Sequence, residues 1–388
     1  MSLARLVCLF LVAVALSAES PRPNILLILA DDLGYSDLGC YGGEIRTPNL
    51  DRLAENGLRF TSFYNASRCC PTRASLMTGV YPHQAGVGRM TFDQGLPGYR
   101  GTLRQDVVTI AEVLRTAGYR TAMVGKWHLS PTKNTPQNTL WVSHRLNLGR
   151  FSEPRTYPTA RGFEEFWGTI WGVVDYFDPF SLVHDDEPVE EISEGFYYTD
   201  AINDRARDFI RKYGAADEPF FLYVAHTAPH WPLHALADDI ARYEGVYDAG
   251  WDALRERRYR RMLEIGLFGR ETTPLSPRHP GDLAWKDNPH HAWDARAMAV
   301  HAAMVDRLDQ GLGRVFEELE RLGELERTLI LFLSDNGASP ELPQNFKPGF
   351  DRPSTPATAA RSAISPRKKW RPGRRSLMPA SGRCGRTP

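Results

Sequence analysis

Cys69-Cys70-Pro71-Thr72-Arg73-Ala74-Ser75-Leu76-Met77-Thr78-Gly79 joins a thiol to a guanidinium across a segment built to start a helix. Pro71 suits a first helical turn, and Gly79 suits a helix C-cap. Such a segment places Cys69 at the positive end of a helix dipole and beside Arg73, a setting for an anion and for a deprotonated nucleophile. Four further clusters carry ionisable groups: Asp31-Asp32, Lys126-Trp127-His128, Pro229-His230 and Asp335-Asn336. Adjacent acids repel, and a nearby cation is the usual remedy. Asp31, Asp32, Asp335 and Asn336 offer hard oxygen donors, which favour Ca²⁺ or Mg²⁺ over Zn²⁺. Turn formation is the plainer role open to Asp-Asp and Asp-Asn-Gly.

The elements that must position these residues are short apolar runs. Asn24–Leu29 reads as a strand buried on both faces, ending in Ala30-Asp31-Asp32. Thr121–Val124 ends in Gly125-Lys126-Trp127-His128, Phe220–Ala225 in His226-Thr227-Ala228-Pro229-His230, and Leu329–Leu333 in Ser334-Asp335-Asn336-Gly337. Four strands thus deliver polar groups at their C-terminal ends, the edge where open α/β sheets bind ligands. Lys126 and His128, two apart at a strand end, are expected on one side. Between the strands, helices are expected from Thr47-Pro48 to a stop at Gly57, over 107–117, and from about Ala295 to Leu322. A short strand is expected around Arg59–Tyr64. His226, His230 and His234 are spaced by four like zinc ligands, but Pro229 and Pro232 rule against a helix carrying all three.

The chain has 388 residues, enough for one large α/β domain or two ordinary ones, and equal numbers of basic and acidic residues, 47 each. The balance is uneven: residues 352–388 hold eight Arg, two Lys and no acid. The remaining body is acidic, which argues against nucleic acid as its partner. Arg5 followed by the apolar run Leu6–Leu16 and small residues to Ala18 reads as a secretory signal peptide over 1–18, too short to span a bilayer comfortably. The expectation is export, periplasmic, secreted or lysosomal, without a transmembrane anchor. Cys8 falls in that leader and Cys384 in the basic tail; Cys40, Cys69 and Cys70 are too few to staple a fold.

Cys69-x-Pro71-x-Arg73, continued by Thr78-Gly79 and Tyr81-Pro82-His83, resembles the signature of the type I sulfatases. Asp31-Asp32, Gly125-Lys126-Trp127-His128, Arg161-Gly162-Phe163, Pro229-His230 and Ser334-Asp335-Asn336-Gly337 follow in that family's order, over roughly residues 22–352. The resemblance implies an alkaline-phosphatase-like α/β fold, a mixed and mostly parallel sheet flanked by helices, with a catalytic domain over 22–351. It implies conversion of Cys69 to formylglycine by a formylglycine-generating enzyme, and a divalent ion, usually Ca²⁺, held by Asp31, Asp32, Asp335, Asn336 and residue 69. The hydrated aldehyde would attack sulfur in line. Arg73 would hold charge, Lys126 would contact the sulfate, and His128 would take a proton so that sulfate leaves. His230 would contact the sulfate and protonate the leaving alcohol. The substrate would be a sulfated small molecule or carbohydrate. Relatives with the same signature that hydrolyse phosphonate or phosphate esters remain an alternative.

The sequence departs from this pattern after Asp351. The family continues to a second active-site lysine and a small antiparallel domain, whereas 352–388 is an Arg/Pro/Ser/Ala run without hydrophobic periodicity. That tail is expected to be disordered and resembles a shifted reading frame or a wrong gene end, with a basic tail for acidic polymers as the alternative. Lys347 stands too near Asp335 to take the missing lysine's role. A catalytically impaired remnant is therefore a further alternative to a working enzyme.

Overall fold

Continuous apolar runs need cover on both faces, which strands inside a helix-packed sheet have. The structure, a computed structural model, describes residues 22–131, 150–189, 191–216 and 218–339. The leader over 1–18, Lys347 and the segment 352–388 lie outside the described residues. Among the described residues seven strands form one sheet: β1 (Asn24–Asp31), β2 (Arg120–Gly125), β3 (Glu165–Thr169), β4 (Leu182–His184), β5 (Glu187–Pro188), β6 (Phe220–Pro229) and β7 (Thr328–Ser334). Their order is β5-β4-β3-β2-β6-β1-β7. The pairs β3–β2, β2–β6, β6–β1 and β1–β7 are parallel, while β3–β4 and β4–β5 are antiparallel. The sheet is thus mixed and mostly parallel, as expected. The four strands expected to carry the chemistry, β2, β6, β1 and β7, are consecutive in it.

The described helices are α1 (Pro48–Glu55), α2 (Cys69–Thr78), α3 (Pro82–Ala85), α4 (Ile110–Thr116), α5 (Tyr198–Tyr213), α6 (Ala237–Ala241), α7 (Gly250–Glu264) and α8 (His291–Arg321). The pair α5 and α8 pack on each other and on β6, and α4 packs on β2. Gly79 closes α2 with φ +70°, the left-handed cap its position predicts. The Thr109 hydroxyl accepts from Glu112 N while the Glu112 carboxylate accepts from Thr109 N, a reciprocal cap that starts α4 at Ile110 rather than 107. α1 is capped from a distance. Asp309 of α8 accepts from the backbone N–H of Asn49 and of Leu50, at 3.1 and 2.8 Å, and so satisfies donors that Thr47 leaves open.

Other boundaries differ from the sequence reading. α1 ends at Glu55 with Asn56 as its cap, before Gly57. β6 runs on to Pro229, because a bulge in its register with β1 between Leu29 and Asp31 absorbs the extra residues. α8 begins four residues before Ala295. Arg59–Tyr64 is not a strand: it is irregular and exposed, and no described strand pairs with it. A β-favouring composition forms a strand only where a ladder receives it. Leu329 and Leu331 of β7, the edge strand among the described residues, are also exposed, at 48% and 42%.

Two glycines let the strand ends close up. A Cβ on Gly125, at φ +100°, would stand 1.9 Å from Ala225 O, and one on Gly168 would stand 1.9 Å from Gly125 O. Gly125→Ala is therefore expected to destabilise the protein by at least about 3 kcal/mol, since overpacking and a disfavoured backbone add. Urea denaturation reads this; a loss below about 1 kcal/mol would show that the strand ends are looser than drawn.

Candidate active site

The parallel register brings the four strand ends to one edge. Ala30 pairs with Ser334, Asp31 with Pro229, and Gly125 with Ala225. Asp31, Lys126 and Asp335 are fully buried there, and Asp32 is half-buried at φ +63°, a left-handed conformation that turns the chain sharply after β1. The Asp32 N–H donates to Asp335 Oδ1 at 3.3 Å, and Asn336 Nδ2 donates to Asp32 Oδ1 at 2.5 Å. The two acidic motifs, some three hundred residues apart in sequence, thus form one cluster.

Two cations from other elements sit in it. Arg73 of α2 donates from Nε and Nη2 to Asp335 Oδ2 at 3.2 and 2.9 Å, and from Nη1 to Lys126 O at 2.8 Å. Its Nη2 also lies 3.6 Å from Asp31 Oδ1. Lys126 Nζ donates to Asp31 Oδ2. Burial pushes Asp335 up to about 7, with the Asp31 charge adding to the rise and Arg73 and Lys126 opposing it. Burial opposes the charged form of Lys126, yet Asp31 and Cys69 hold its pKa above the ordinary value. Arg73 behaves likewise under Tyr223, Asp335 and Asp31.

α2 aims its first residue at these groups. Cys69 is buried at the N-terminus of the helix, with Arg73 one turn on. A hydrogen bond from Cys70, joined by the Lys126 charge and by His128, holds the Cys69 thiol well below its usual range, although burial opposes this. Cys70 is driven the other way by burial. Pro71 stands at the third helical position, because the helix already begins at Cys69.

Lys126 and His128 reach the site by a different route from strand alternation. β2 ends at Gly125, and His128 sits beyond it at φ +56°. Its Nδ1 or Nε2 lies within 4.8 Å of the Cys69 and Cys70 sulfurs. A Cβ on Gly172 would fall 2.1 Å from the imidazole, so that glycine leaves the ring its space. Burial lowers His128 to about 4, which keeps it neutral at pH 7 and able to accept a proton.

His230 faces the same cluster from the end of β6. Its Nε2 lies 3.5 Å from Asp32 Oδ2, and its Nδ1 lies 2.5 Å from Trp231 O. A carbonyl only accepts, so Nδ1 carries the proton and Nε2 is the atom presented to the site. The zinc-like spacing of three histidines dissolves in space. His226 is buried within β6, whereas His234 pairs with Asp175 at 3.4 Å.

The residues expected from sequence, Asp31, Asp32, Cys69, Arg73, Lys126, His128, His230, Asp335 and Asn336, therefore converge. Sequence reasoning missed their supports. The Tyr176 hydroxyl, at 2.6 Å from Thr227 O and 2.9 Å from His230 O, ties down the turn that carries His230. Asp37 is held by Arg258 of α7 at 2.6 Å and by His301 of α8 at 3.1 Å, and itself accepts from Gly34 N. This brace fixes the loop after Asp31-Asp32. The Tyr223 hydroxyl is buried beside Arg73. None of these has a local spacing signal; an isolated tyrosine in an apolar strand reads as core.

The donor set fits a hard divalent cation. Asp31 Oδ1 is buried without a hydrogen-bond partner, Asp335 is pushed up beside it, and the converging groups of Asp31, Asp32 and Asp335 are carboxylates, with Asn336 bonded to Asp32. Among the described residues, Asp31, Asp32 and His230 also present donors within 4.8 Å of one another.

The sheet order and the helices packed on it define an alkaline-phosphatase-like α/β fold. The family model described as Sulfatase matches residues 23–368, and the chain belongs to the sulfatase family. It is 37% identical to an uncharacterized sulfatase of Schizosaccharomyces pombe, over 83% of this chain and 58% of that protein. It is 33% identical to the arylsulfatase of Klebsiella aerogenes, over 92% of this chain and 73% of that protein. With human arylsulfatase A the identity is 32%, over 85% of this chain and 54% of that one. Among solved structures, that of Ps i-CgsB matches at TM-score 0.57 and 29% identity, covering 82% of this chain and 59% of that one. A putative sulfatase from Bacteroides fragilis matches in fold at TM-score 0.61 and 21% identity, covering 83% and 63%. The chain thus spans a little over half the length of several of these relatives.

The crowding of Asp31 and Asp335 has a pH signature in metal-stripped protein. Asp335, raised to about 7, binds a proton more tightly folded than unfolded, so its contribution falls as pH rises from about 4 to 7. Relative to Asp335→Asn, which cannot titrate, the parent is expected to lose about 2 kcal/mol between pH 5 and pH 8. Denaturant unfolding of both proteins at the two pH values checks this, and a pH-independent difference contradicts it.

Proposed function

We propose that this chain hydrolyses sulfate monoesters, using an oxygen nucleophile made from Cys69 and a bound divalent cation, Ca²⁺ or Mg²⁺. The observation that carries the reading is the meeting of Cys69, at a helix N-terminus, with an acid cluster and two buried cations at one sheet edge. Asp31, Asp32, Asp335, Asn336 and residue 69 would hold the metal. When bound, the cation would supply Lewis-acid stabilisation of sulfate oxygens, and formylglycine at 69 would supply the attacking oxygen.

The chain's own residues divide the remaining work. Arg73 offers a fixed guanidinium for the charge that develops at sulfur, because its contacts with Asp335 and Lys126 O leave it one orientation. Lys126 brings a second cation beside residue 69. Neutral His128 accepts a proton at the nitrogen facing residue 69, and His230 exchanges one with the leaving alcohol at Nε2. The buried setting strengthens each of these interactions.

A sulfated carbohydrate or small molecule is the substrate class. Ps i-CgsB was solved in complex with k-i-k-neocarrahexaose, and its 29% identity to this chain supports the carbohydrate option. Export follows from the leader-like Met1–Ala18 run, and no described helix is long and apolar enough to cross a membrane. A formylglycine-generating enzyme would act on Cys69 before folding buries it.

In a converting host, tryptic mass spectrometry is expected to find the aldehyde at position 69 and an intact thiol at Cys70. Cys69→Ala is expected to abolish aryl sulfate hydrolysis, while Cys70→Ala retains it within about tenfold. Chelation is expected to remove activity and to lower the melting temperature, since the metal binds the native state alone. An active protein with a free thiol at 69, or one indifferent to chelation, contradicts the mechanism.

A further inference from the structure

The Cys69 neighbourhood holds a second donor set that the oxygen cluster does not use. The Cys69 and Cys70 sulfurs and a His128 ring nitrogen lie within 4.8 Å of one another, and all three residues are buried. Both His128 ring nitrogens lie away from solvent without a hydrogen-bond partner. The polar neighbour that bears on the ring is Cys69 itself, so the imidazole and the sulfurs already face one another. The His128 ring is seated over Trp171 at a centroid distance of 5.3 Å, with Gly172 leaving its space, so its place is fixed by packing rather than by polar bonds.

We propose that the chain with Cys69 still a thiol binds one zinc-class cation through Cys69 Sγ, Cys70 Sγ and His128. Two thiolates and an imidazole are a soft set, suited to Zn²⁺ and unsuited to Ca²⁺, with a fourth position left to solvent. Zn–S distances near 2.3 Å and Zn–N near 2.1 Å need three donors about 3.5–4 Å apart, and these atoms all lie within 4.8 Å of one another. Proton balance is simple: any proton still on a thiol leaves to solvent as its Zn–S bond forms. Cys69 is held toward the thiolate and Cys70 gives up its proton as zinc binds, so zinc brings one net positive charge beside Lys126 and Arg73. Asp31 and Asp335 already pair with those two cations.

Conversion of Cys69 removes one sulfur and so removes the site. This inference is independent of sulfate hydrolysis: it concerns the unconverted chain and is read without substrate. It also gives Cys70 a role that the proposed reaction does not.

The test uses the full chain from a non-converting host, with both thiols verified by mass and reduced, and with Ca²⁺ in excess to fill the oxygen cluster. Co²⁺ is the probe. The expected result is one equivalent bound with tetrahedral d–d bands and a sulfur-to-cobalt charge-transfer band of two-thiolate intensity, displaced by equimolar Zn²⁺. Cys70→Ser is expected to halve that band, and His128→Gln to weaken Co²⁺ affinity at least tenfold. Weak octahedral absorption without charge transfer, or a spectrum that excess Ca²⁺ abolishes, overturns the proposal. The parent protein alone decides this, so it stands or falls even if a variant fails to fold.

Discussion

Two buried carboxylates at adjacent strand ends are the constraint on which the rest of this structure depends. Asp31 closes β1 and Asp335 follows β7, and the parallel pairing of these strands forces them together. Each ion would cost several kcal/mol to bury unpaired. Arg73 and Lys126 offset that cost, and both arrive from elements whose placement is set elsewhere: α2 through its packing on α3 and α4, and Lys126 through β2. The charge cluster is therefore a tertiary product. Breaking any one member would leave another buried charge without its partner.

The same arrangement sets the chemistry. A cluster balanced by protein cations alone still leaves Asp31 Oδ1 unsatisfied and Asp335 pushed toward protonation. The proposed further cation would resolve both. The protein thus carries strain at one edge of an otherwise well-packed sheet, where Leu26, Ile28, Leu29, Leu222 and Val224 are fully buried. Rigid packing below and unsatisfied charge above is the arrangement that the proposed metal site would use.

Much of this was legible in the sequence because the informative patterns are local. An apolar run ending in Asp-Asp or Asp-Asn reveals both a buried strand and its charged end. Cys69, Pro71, Arg73 and Gly79 reveal a helix that starts at a reactive group. What escaped depends on residues distant in sequence. Asp309 caps α1 from α8, Arg258 and His301 brace Asp37, and Tyr176 pins the His230 turn; each pairing is set by topology. The expected strand at Arg59–Tyr64 failed for the complementary reason: its composition favours extension, but no described strand offers it a ladder. His128 comes to lie beside Cys69 through a left-handed residue after the strand rather than by alternation along it.

The central claim is that the Asp31–Asp335 cluster is a hard-metal centre whose charge Arg73 and Lys126 balance only in part. Anomalous X-ray diffraction from crystals grown with Ca²⁺ tests it most directly. The account predicts a single strong peak in bonding contact with oxygens of Asp31, Asp32, Asp335 and Asn336. A peak elsewhere, or none while Lys126 keeps its bond to Asp31 and Arg73 its bonds to Asp335, would contradict it.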